Sequence, residues 1–356
     1  MLVTDLPRSP DAVGADWLSE ALQTGQPGTQ VASVECVSRI GGAGTKLKLH
    51  VTYLNNPAAL PPTLWIKAGW EDHSAMHEAA KTYAREAMFF DRMQVPGVRA
   101  PRAFYAAWTA TGAGLVIMED LHERGADLWK CTVARSVEDV RAMLDTLARL
   151  HARWWDSEEL LSMDHIDISM RSSGPLSAWP RANGADRLQE VLAGPRGERL
   201  PAHVKDPVRI ERAFWRMVES LEAMPRGCLI HGDPHPGNCF SDADGGGGLY
   251  DWQTIARGPW AFDVAYHIVT SLTPDDRRRS ERELLAYYCE KLSEFGVAER
   301  PDEAEAWDLY RKHIAYPLLI WPTNHISHQA EENIRALTYR VGMAADDFGF
   351  FELWGV

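Results

Sequence analysis

The spacing of hydrophobic residues changes near residue 122, and this change limits the folds open to the chain. Before it, runs rich in Val, Leu and Ile predict strands at 31–40, 46–54, 63–70, 102–110 and 114–121. Helical spacing occurs there only at 10–24 and 76–94. After it, helical spacing dominates at 136–157, 206–223, 261–272, 279–295, 302–319 and 330–346. We predict an α+β protein with two domains, residues 1–121 and 122–356.

Two short strands interrupt the helical part of the pattern. They are predicted at 228–233 and 248–253, flanking a glycine-rich turn from Gly245 to Gly248. A second glycine-rich segment, 41–44, predicts a turn between the first two strands of the sheet.

Composition narrows the classes of function. The formal net charge is −13, which disfavours binding to nucleic acid or to an anionic membrane, since both need clustered Lys and Arg. The five cysteines form no Cys-x-x-Cys pair, so a disulfide framework is not expected. No signal peptide is recognisable, and no run approaches the roughly 20 apolar residues of a membrane span. We expect a cytoplasmic protein; the oligomeric state stays open.

The segment from His231 to Asn238 carries the strongest chemical signal. It has the spacing His-x-Asp-x-x-x-x-Asn, and Asp251 follows thirteen residues after Asn238. Phosphoryl transfer needs a carboxylate that accepts the proton of the attacking hydroxyl, and oxygen ligands that hold Mg²⁺. Asp233 fits the first role, and Asn238 and Asp251 fit the second. A turn aspartate, or a metal-dependent hydrolase built on His231, Asp233 and His235, are the alternatives.

This motif resembles the aminoglycoside phosphotransferase and choline kinase superfamily, which has a protein-kinase-like fold. The resemblance is carried by HGDPHPGN at 231–238 and YDWQ at 250–253. The Trp-Gln pair after Asp251 and LARLHARWW at 147–155 are most similar to the ecdysteroid-kinase-like branch. The resemblance implies a bilobed fold, with a small, mostly antiparallel N-lobe carrying one main helix and a larger helical C-lobe.

The resemblance also assigns residues of the first lobe to nucleotide binding. Lys67 stands where a strand lysine holds the phosphates, and Glu86 is its expected ion-pair partner, with Glu78 as the rival. Gly42 and Gly44 form a reduced glycine loop, because no third glycine follows at the protein-kinase spacing. Thr45 would add a hydroxyl donor.

Two further groups of residues follow from the resemblance. The connection through Met118, Glu119 and Leu121 would bind the adenine edge through its backbone. Asp263 and His151 would support the catalytic loop from below, and His231 would hold the loop by hydrogen bonds.

The function predicted from the sequence is the transfer of the γ-phosphoryl group of ATP, with Mg²⁺, to a hydroxyl of a small molecule. Aromatic residues between 307 and 329 favour an apolar or mixed, sterol-like acceptor. An aminoglycoside or macrolide antibiotic is the alternative acceptor. A nucleotide-binding pseudokinase acting as a sensor is the alternative of another class.

Overall fold

The computed structural model describes residues 1–163, 166, 180–224 and 227–356. Two compact units make up the chain. The first unit comprises residues 1–96, 100–126 and 250–254, and the second comprises 97–99, 127–249 and 255–356. The first unit contains an antiparallel sheet and the second is mainly helical. The predicted α+β class is therefore confirmed.

The sheet of the first unit has five antiparallel strands in the order β1-β2-β3-β5-β4. Alternation of apolar and polar residues determines its faces. On β2, Leu47, Leu49 and Val51 are buried, whereas Lys46 and Lys48 lie on the opposite face. All five predicted strands are confirmed: β1 Gln30–Ile40, β2 Thr45–Asn55, β3 Thr63–Ala68, β4 Ala103–Trp108 and β5 Gly114–Glu119.

Helices cover the sheet of the first unit. The opening helix α1 (Ala15–Gln23) buries Leu18 and Leu22 in the same core as the strands. The helix predicted at 76–94 is instead divided into α2 (Ser74–Ala79), α3 (Thr82–Met88) and a π-helical turn, Phe89–Met93.

The prediction of one continuous helix at 76–94 is wrong at Lys81, which has a left-handed φ of 57°. The reason is tertiary. The N–H of Ala84 donates to the carbonyl of Gly112, in the turn between β4 and β5, over 3.2 Å. The carbonyl of Gly112 thus accepts the hydrogen bond that a carbonyl of a continuous helix would accept.

The second unit contains short strands: β6 Asp127–Leu128, β7 Cys228–Ile230, β8 Cys239–Ser241, β9 Gly247–Leu249 and β10 Ala256–Gly258. The two predicted short strands exist but do not flank one turn. β7 pairs with β10, whereas β9 pairs with β8, which the sequence analysis missed. Gly247 and Gly248 belong to β9 itself. Glycine is needed at 248 because an added Cβ would lie 2.1 Å from the Phe240 ring.

Each helical segment predicted in the second unit is helical in the structure, and one of them is divided. Among the described residues, the α-helices of this unit include α4 Val137–Arg153, α5 Glu158–Leu161, α6 Ala185–Leu192, α7 Pro207–Glu222, α8 Trp260–Ser271, α9 Pro274–Glu294, α10 Glu303–Lys312, α11 Ala315–Thr323, α12 Glu331–Phe348 and α13 Phe350–Leu353. The helix predicted at 302–319 is divided between α10 and α11. Pro317 has no N–H to bond the carbonyl of His313, so the helical ladder is interrupted there.

Helix α8 lies at the centre of the second unit. Each of its twelve residues is buried, so its polar side chains need partners inside the protein. Within the part of the chain that the structure describes, no helix is both long and apolar enough to cross a lipid bilayer.

Candidate active site

Asp263, in the first turn of α8, anchors the loop that follows β7. Its Oδ2 accepts a hydrogen bond from the N–H of His231 over 2.6 Å, and its Oδ1 accepts one from the N–H of Gly232 over 2.9 Å. Nε2 of His151, from α4, lies 3.2 Å from the same Oδ2. Gly232 has φ +83°, which glycine adopts without strain. The predicted contact between Asp263, His151 and the loop is confirmed.

The loop also holds itself together. Nδ1 of His231 accepts a hydrogen bond from the N–H of Asp233 over 3.3 Å, so His231 has the loop-holding contact that the sequence predicted. Pro236–Asn238 forms a 3₁₀ turn, and the Asn238 Nδ2 donates to the backbone carbonyl of Asp233 over 2.9 Å. These contacts fix the backbone on both sides of the Asp233 carboxylate.

Three side chains surround the carboxylate of Asp233. The hydroxyl of Tyr266 donates to Oδ1 over 2.8 Å. The Asn238 Nδ2 donates to Oδ2 over 3.0 Å, and Nε2 of His235 lies 3.4 Å from Oδ2. The Asp233 side chain is 28% exposed. It is therefore held in place while remaining open to solvent.

The protonation of Asp233 follows from these neighbours. Burial favours the neutral acid, but the hydrogen bonds that His235 and Tyr266 donate outweigh burial and lower the pKa of Asp233. Asp233 is therefore a carboxylate at neutral pH. A carboxylate in this position can orient a hydroxyl and accept its proton.

The tautomer of His235 follows from a second hydrogen bond. Burial lowers the pKa of His235, but the Asp233 carboxylate outweighs burial and raises this pKa to about 10, which favours a ring protonated on both nitrogens. The local geometry opposes that form, because a protonated Nδ1 would face the N–H of Gly237. The N–H of Gly237 donates to Nδ1 of His235 over 3.0 Å, which requires a lone pair on Nδ1. We therefore assign the neutral ring, with its proton on Nε2, directed at Asp233.

Lys67 forms a buried ionic cluster in the first unit. It lies on β3, is 5% exposed, and its Nζ contacts Oε2 of Glu86 over 2.8 Å and Oδ1 of Asp251 over 2.6 Å. Burial opposes the charge on Lys67, but the two carboxylates outweigh it and raise its pKa. The structure thus brings together three residues that the sequence analysis selected, and it pairs Lys67 with Glu86. The rival, Glu78, accepts a hydrogen bond from Thr111 instead.

Trp252, the residue after Asp251, anchors this part of the backbone. The Trp252 ring stacks on Phe89 with centroids 3.6 Å apart, and the Trp252 N–H donates to Oε1 of Glu86 over 3.2 Å. Asp251 itself has φ +64°, a left-handed conformation that Asp tolerates better than most residues. Lys46, which the sequence analysis missed, lies 3.5 Å from its Oδ2. The alternation of residues along β2 could have predicted this position, because Lys46 and Lys48 lie on the same face of the strand.

The glycine turn is held by residues outside it. Nε2 of His73 contacts the carbonyl of Gly42 over 2.8 Å, and the Tyr83 hydroxyl donates to the carbonyl of Ala43. Gly44 packs closely on Tyr83. Thr45 is buried, and its hydroxyl donates to Oε1 of Glu71 over 2.6 Å. Its hydrogen is thus directed at a carboxylate of the protein.

The predicted adenine-binding segment lies at the end of β5. Met118 is paired on both sides within the sheet. The Glu119 carboxylate accepts hydrogen bonds from the N–H of Arg102 and from Arg124, so it stabilises the strand end. Leu121 accepts a hydrogen bond from the N–H of Ala126 at its carbonyl. Its own N–H donates none among the described residues, which leaves it available to a ligand.

Tyr266 is a second residue that was missed from the sequence. It lies three residues after Asp263, so both occur on one face of α8. That spacing was a usable signal once Asp263 was placed beneath the loop. Of the aromatic residues proposed to line an acceptor pocket, Trp321 lies edge-on to His235 at 5.0 Å, whereas Tyr310 is buried and donates to Glu281.

The acidic residues near 302 begin a helix. Oδ1 of Asp302 accepts a hydrogen bond from the N–H of Glu305 over 2.9 Å, which caps α10. Among the described residues, no group of three or more His, Cys, Asp or Glu side chains is arranged to hold a metal ion.

Solved structures resemble the chain along most of its length. One is an aminoglycoside phosphotransferase from Streptomyces rimosus, with 16% identity, 86% of this chain and 97% of that chain covered, and a TM-score of 0.45. Another is a choline kinase from Streptococcus pneumoniae, with 13% identity, 93% and 98% covered, and a TM-score of 0.48. A third is a macrolide 2'-phosphotransferase from Brachybacterium faecium, with 15% identity, 91% and 97% covered, and a TM-score of 0.42.

No protein of curated function matches the sequence at a significant level. A family model described as "Phosphotransferase enzyme family" matches residues 72–305, which is more than half of the chain and contains Glu86, Asp233, Asn238 and Asp251. The chain therefore belongs to the phosphotransferase enzyme family.

Proposed function

We propose that the chain is an ATP-dependent kinase that transfers the γ-phosphoryl group to a hydroxyl of a small-molecule acceptor. The observation that carries the proposal is the environment of Asp233, a partly exposed carboxylate fixed by Tyr266, Asn238 and His235. Its role is to orient the acceptor hydroxyl and accept its proton while the oxygen attacks phosphorus.

The first unit would bind the nucleotide. Lys67, held by Glu86, supplies the positive charge for the phosphates. The turn with Gly42, Gly44 and Thr45 would cover the phosphates. The backbone at Met118, Glu119 and Leu121 would bind the adenine. We assign nucleotide binding to residues 1–121 and acceptor binding to 122–356.

The donors that the chain offers fit Mg²⁺, which prefers oxygen ligands. The hydrogen bonds of the Asn238 side chain use its Nδ2 and leave Oδ1 available. Asp251 supplies a carboxylate whose neighbours include Lys67 and Lys46. Bound Mg²⁺ would neutralise charge on the phosphate oxygens during the transfer.

The acceptor we favour is an apolar or mixed hydroxylated metabolite of sterol-like character. Aromatic side chains near Asp233 support this choice. The ring centroids of Tyr266 and Tyr316 lie 5.9 Å apart in an edge-on arrangement, and Trp321 packs edge-on against His235, a neighbour of Asp233. A cationic antibiotic would instead need acidic groups, and Asp302 is used as a helix cap. Trp252 and His151 belong to the segments that resemble the ecdysteroid-kinase-like branch. Both have structural roles, since Trp252 stacks on Phe89 and His151 is buried.

An acceptor screen tests the proposal. Purified protein is incubated with ATP or GTP, Mg²⁺ and a panel of sterols, macrolides, aminoglycosides and choline, and release of the nucleoside diphosphate is measured. We expect release to depend on one acceptor class and to yield a phosphate monoester. Asp244→Asn, a change of an exposed acid of the second unit, serves as the matched control for Asp233→Asn. Nucleotide binding without any acceptor-dependent release would favour a pseudokinase sensor.

A further inference from the structure

Tyr83, at the start of α3, fills a slot between two glycines of the sheet. The Tyr83 side chain is buried. Thr45 on β2 pairs with Ala68 on β3. Gly44 precedes the first of these residues and Gly69 follows the second, so the two glycines lie opposite each other. An added Cβ at Gly69 would lie 2.2 Å from the Tyr83 ring, and one at Gly44 would lie 3.0 Å from it. The ring therefore packs directly against the end of the glycine turn.

The hydroxyl of Tyr83 is directed at the same turn. It donates to the carbonyl of Ala43, and its oxygen lies 3.1 Å from the hydroxyl of Ser74. A carbonyl only accepts hydrogen bonds, so the Tyr83 proton points to Ala43, and the Ser74 hydroxyl can donate to the Tyr83 oxygen. Ser74 in turn accepts a hydrogen bond from the N–H of Glu71 over 2.9 Å. The glycine turn is thus bonded to α3, and through Tyr83 to the start of α2.

The helix that carries Tyr83 also carries the partner of Lys67. Glu86 lies three residues after Tyr83, a spacing that puts both side chains near one face of α3. Its Oε2 lies 2.8 Å from the Nζ of Lys67. The backbone of α3 packs against β5, because an added Cβ at Gly114 would lie 2.1 Å from the carbonyl oxygen of Tyr83. For the turn to move relative to Lys67, either α3 must shift or the hydrogen bond from Tyr83 must break.

We propose that Tyr83 is a positioning residue, which holds the glycine turn where it covers the phosphates of a bound nucleotide. This inference rests on the proposed function, in which the turn and Lys67 act on the same phosphates. A turn that is already ordered loses less conformational freedom when a ligand binds. Loss of the hydrogen bond from Tyr83 should therefore weaken the binding of the phosphates and leave the binding of the base unchanged.

Hydrogen–deuterium exchange without nucleotide tests whether Tyr83 holds the turn. Tyr83→Phe keeps the ring in its slot and removes the donor to Ala43. We expect the amides of residues 41–45 to exchange about five- to tenfold faster in this variant, the factor that one net hydrogen bond supplies. Tyr53→Phe is the matched control, because the Tyr53 hydroxyl donates to the carbonyl of Pro61 over 2.9 Å, near the other end of β2. Unchanged exchange in Tyr83→Phe, or an equal acceleration in Tyr53→Phe, would overturn the inference.

Calorimetry tests the consequence for ligand binding, with ATP and Mg²⁺ in one titration and adenosine in another. Tyr83→Phe should bind ATP about five- to tenfold more weakly than the wild type and adenosine with unchanged affinity. Tyr53→Phe should bind both ligands as the wild type does. Equal weakening of ATP and adenosine in Tyr83→Phe would indicate a general loss of structure and would contradict a positioning role.

The two experiments separate this inference from the proposed function. A wild type that binds neither ATP nor adenosine would overturn the proposed function, and with it the role of Tyr83 in nucleotide binding. The exchange measurement uses no ligand, so its result still decides whether Tyr83 holds the glycine turn. Normal ATP binding by the wild type with unchanged exchange in Tyr83→Phe would overturn the inference alone.

Discussion

The hydroxyl of Tyr266 donates a hydrogen bond to Oδ1 of Asp233 over 2.8 Å. Tyr266 is buried on α8, three residues from Asp263, which holds the backbone of the same loop. One helix thus fixes both the backbone and the carboxylate of the proposed base.

Tyr266→Phe should lower kcat about five- to tenfold, because it removes one hydrogen bond and keeps the ring. It should also raise the pKa of Asp233, since the lost bond favoured the carboxylate. The acid limb of the pH profile of kcat/KM reports this shift. Tyr316→Phe is the matched control, because Tyr316 packs against Tyr266 without bonding Asp233. A pH profile identical to that of the wild type would contradict the proposal that Tyr266 lowers the pKa of Asp233.

His235→Leu should move the acid limb of kcat/KM to higher pH for a related reason. The pKa of Asp233 is lower in the native protein than in the unfolded chain. The native environment therefore stabilises the carboxylate at pH values above the unfolded pKa, and this stabilisation is lost as pH falls through the native pKa. Loss of a donor raises that native pKa. His235→Gln separates two roles: its neutral N–H can replace Nε2–H and restore the profile. Failure of Gln to restore it would indicate an imidazolium at this position instead.

Lys67→Met should destabilise the first unit, because Glu86 and Asp251 would be left without their buried counter-charge. Removing one partner of a buried ion pair costs about 3–5 kcal/mol of unfolding free energy. Urea titration measures the loss. The double variant Lys67→Met/Glu86→Gln should recover part of the stability but not nucleotide binding. Lys46→Met, at a lysine 39% exposed, should change stability much less, and an equal loss would contradict this ranking.

Asp251→Ala should abolish the effect of Mg²⁺ on nucleotide affinity, because it removes a proposed oxygen ligand. Calorimetric titration with ATP, with and without Mg²⁺, checks this. The exposed Asp72→Ala in the same unit is the control. Retention of the wild-type Mg²⁺ dependence in Asp251→Ala would place the metal elsewhere.

The sequence predicted the elements that carry strong local patterns. The five strands of the first unit follow from runs of β-branched and apolar residues, and the family resemblance located Lys67 on the third of them. The motif from His231 to Asn238 identified the loop because its residue types are tied to the chemistry.

The parts that were wrong or missed depend on distant contacts. The break at Lys81 arises where the β4–β5 turn supplies an acceptor to Ala84, and periodicity contains no trace of that turn. β8 was also missed, because it is defined by its pairing with β6 and β9 and not by a local pattern of its own. The hydrogen bond from Thr45 to Glu71, 26 residues away, was likewise missed.

The central claim is that Asp233 acts in the chemical step and not in nucleotide binding. Single-turnover measurement of phosphoryl transfer by Asp233→Ala, with ATP and Mg²⁺ bound at the wild-type affinity, tests it most directly. The account predicts a transfer rate reduced by roughly 10²-fold or more, the scale of a lost general base. A transfer rate equal to that of the wild type would contradict it.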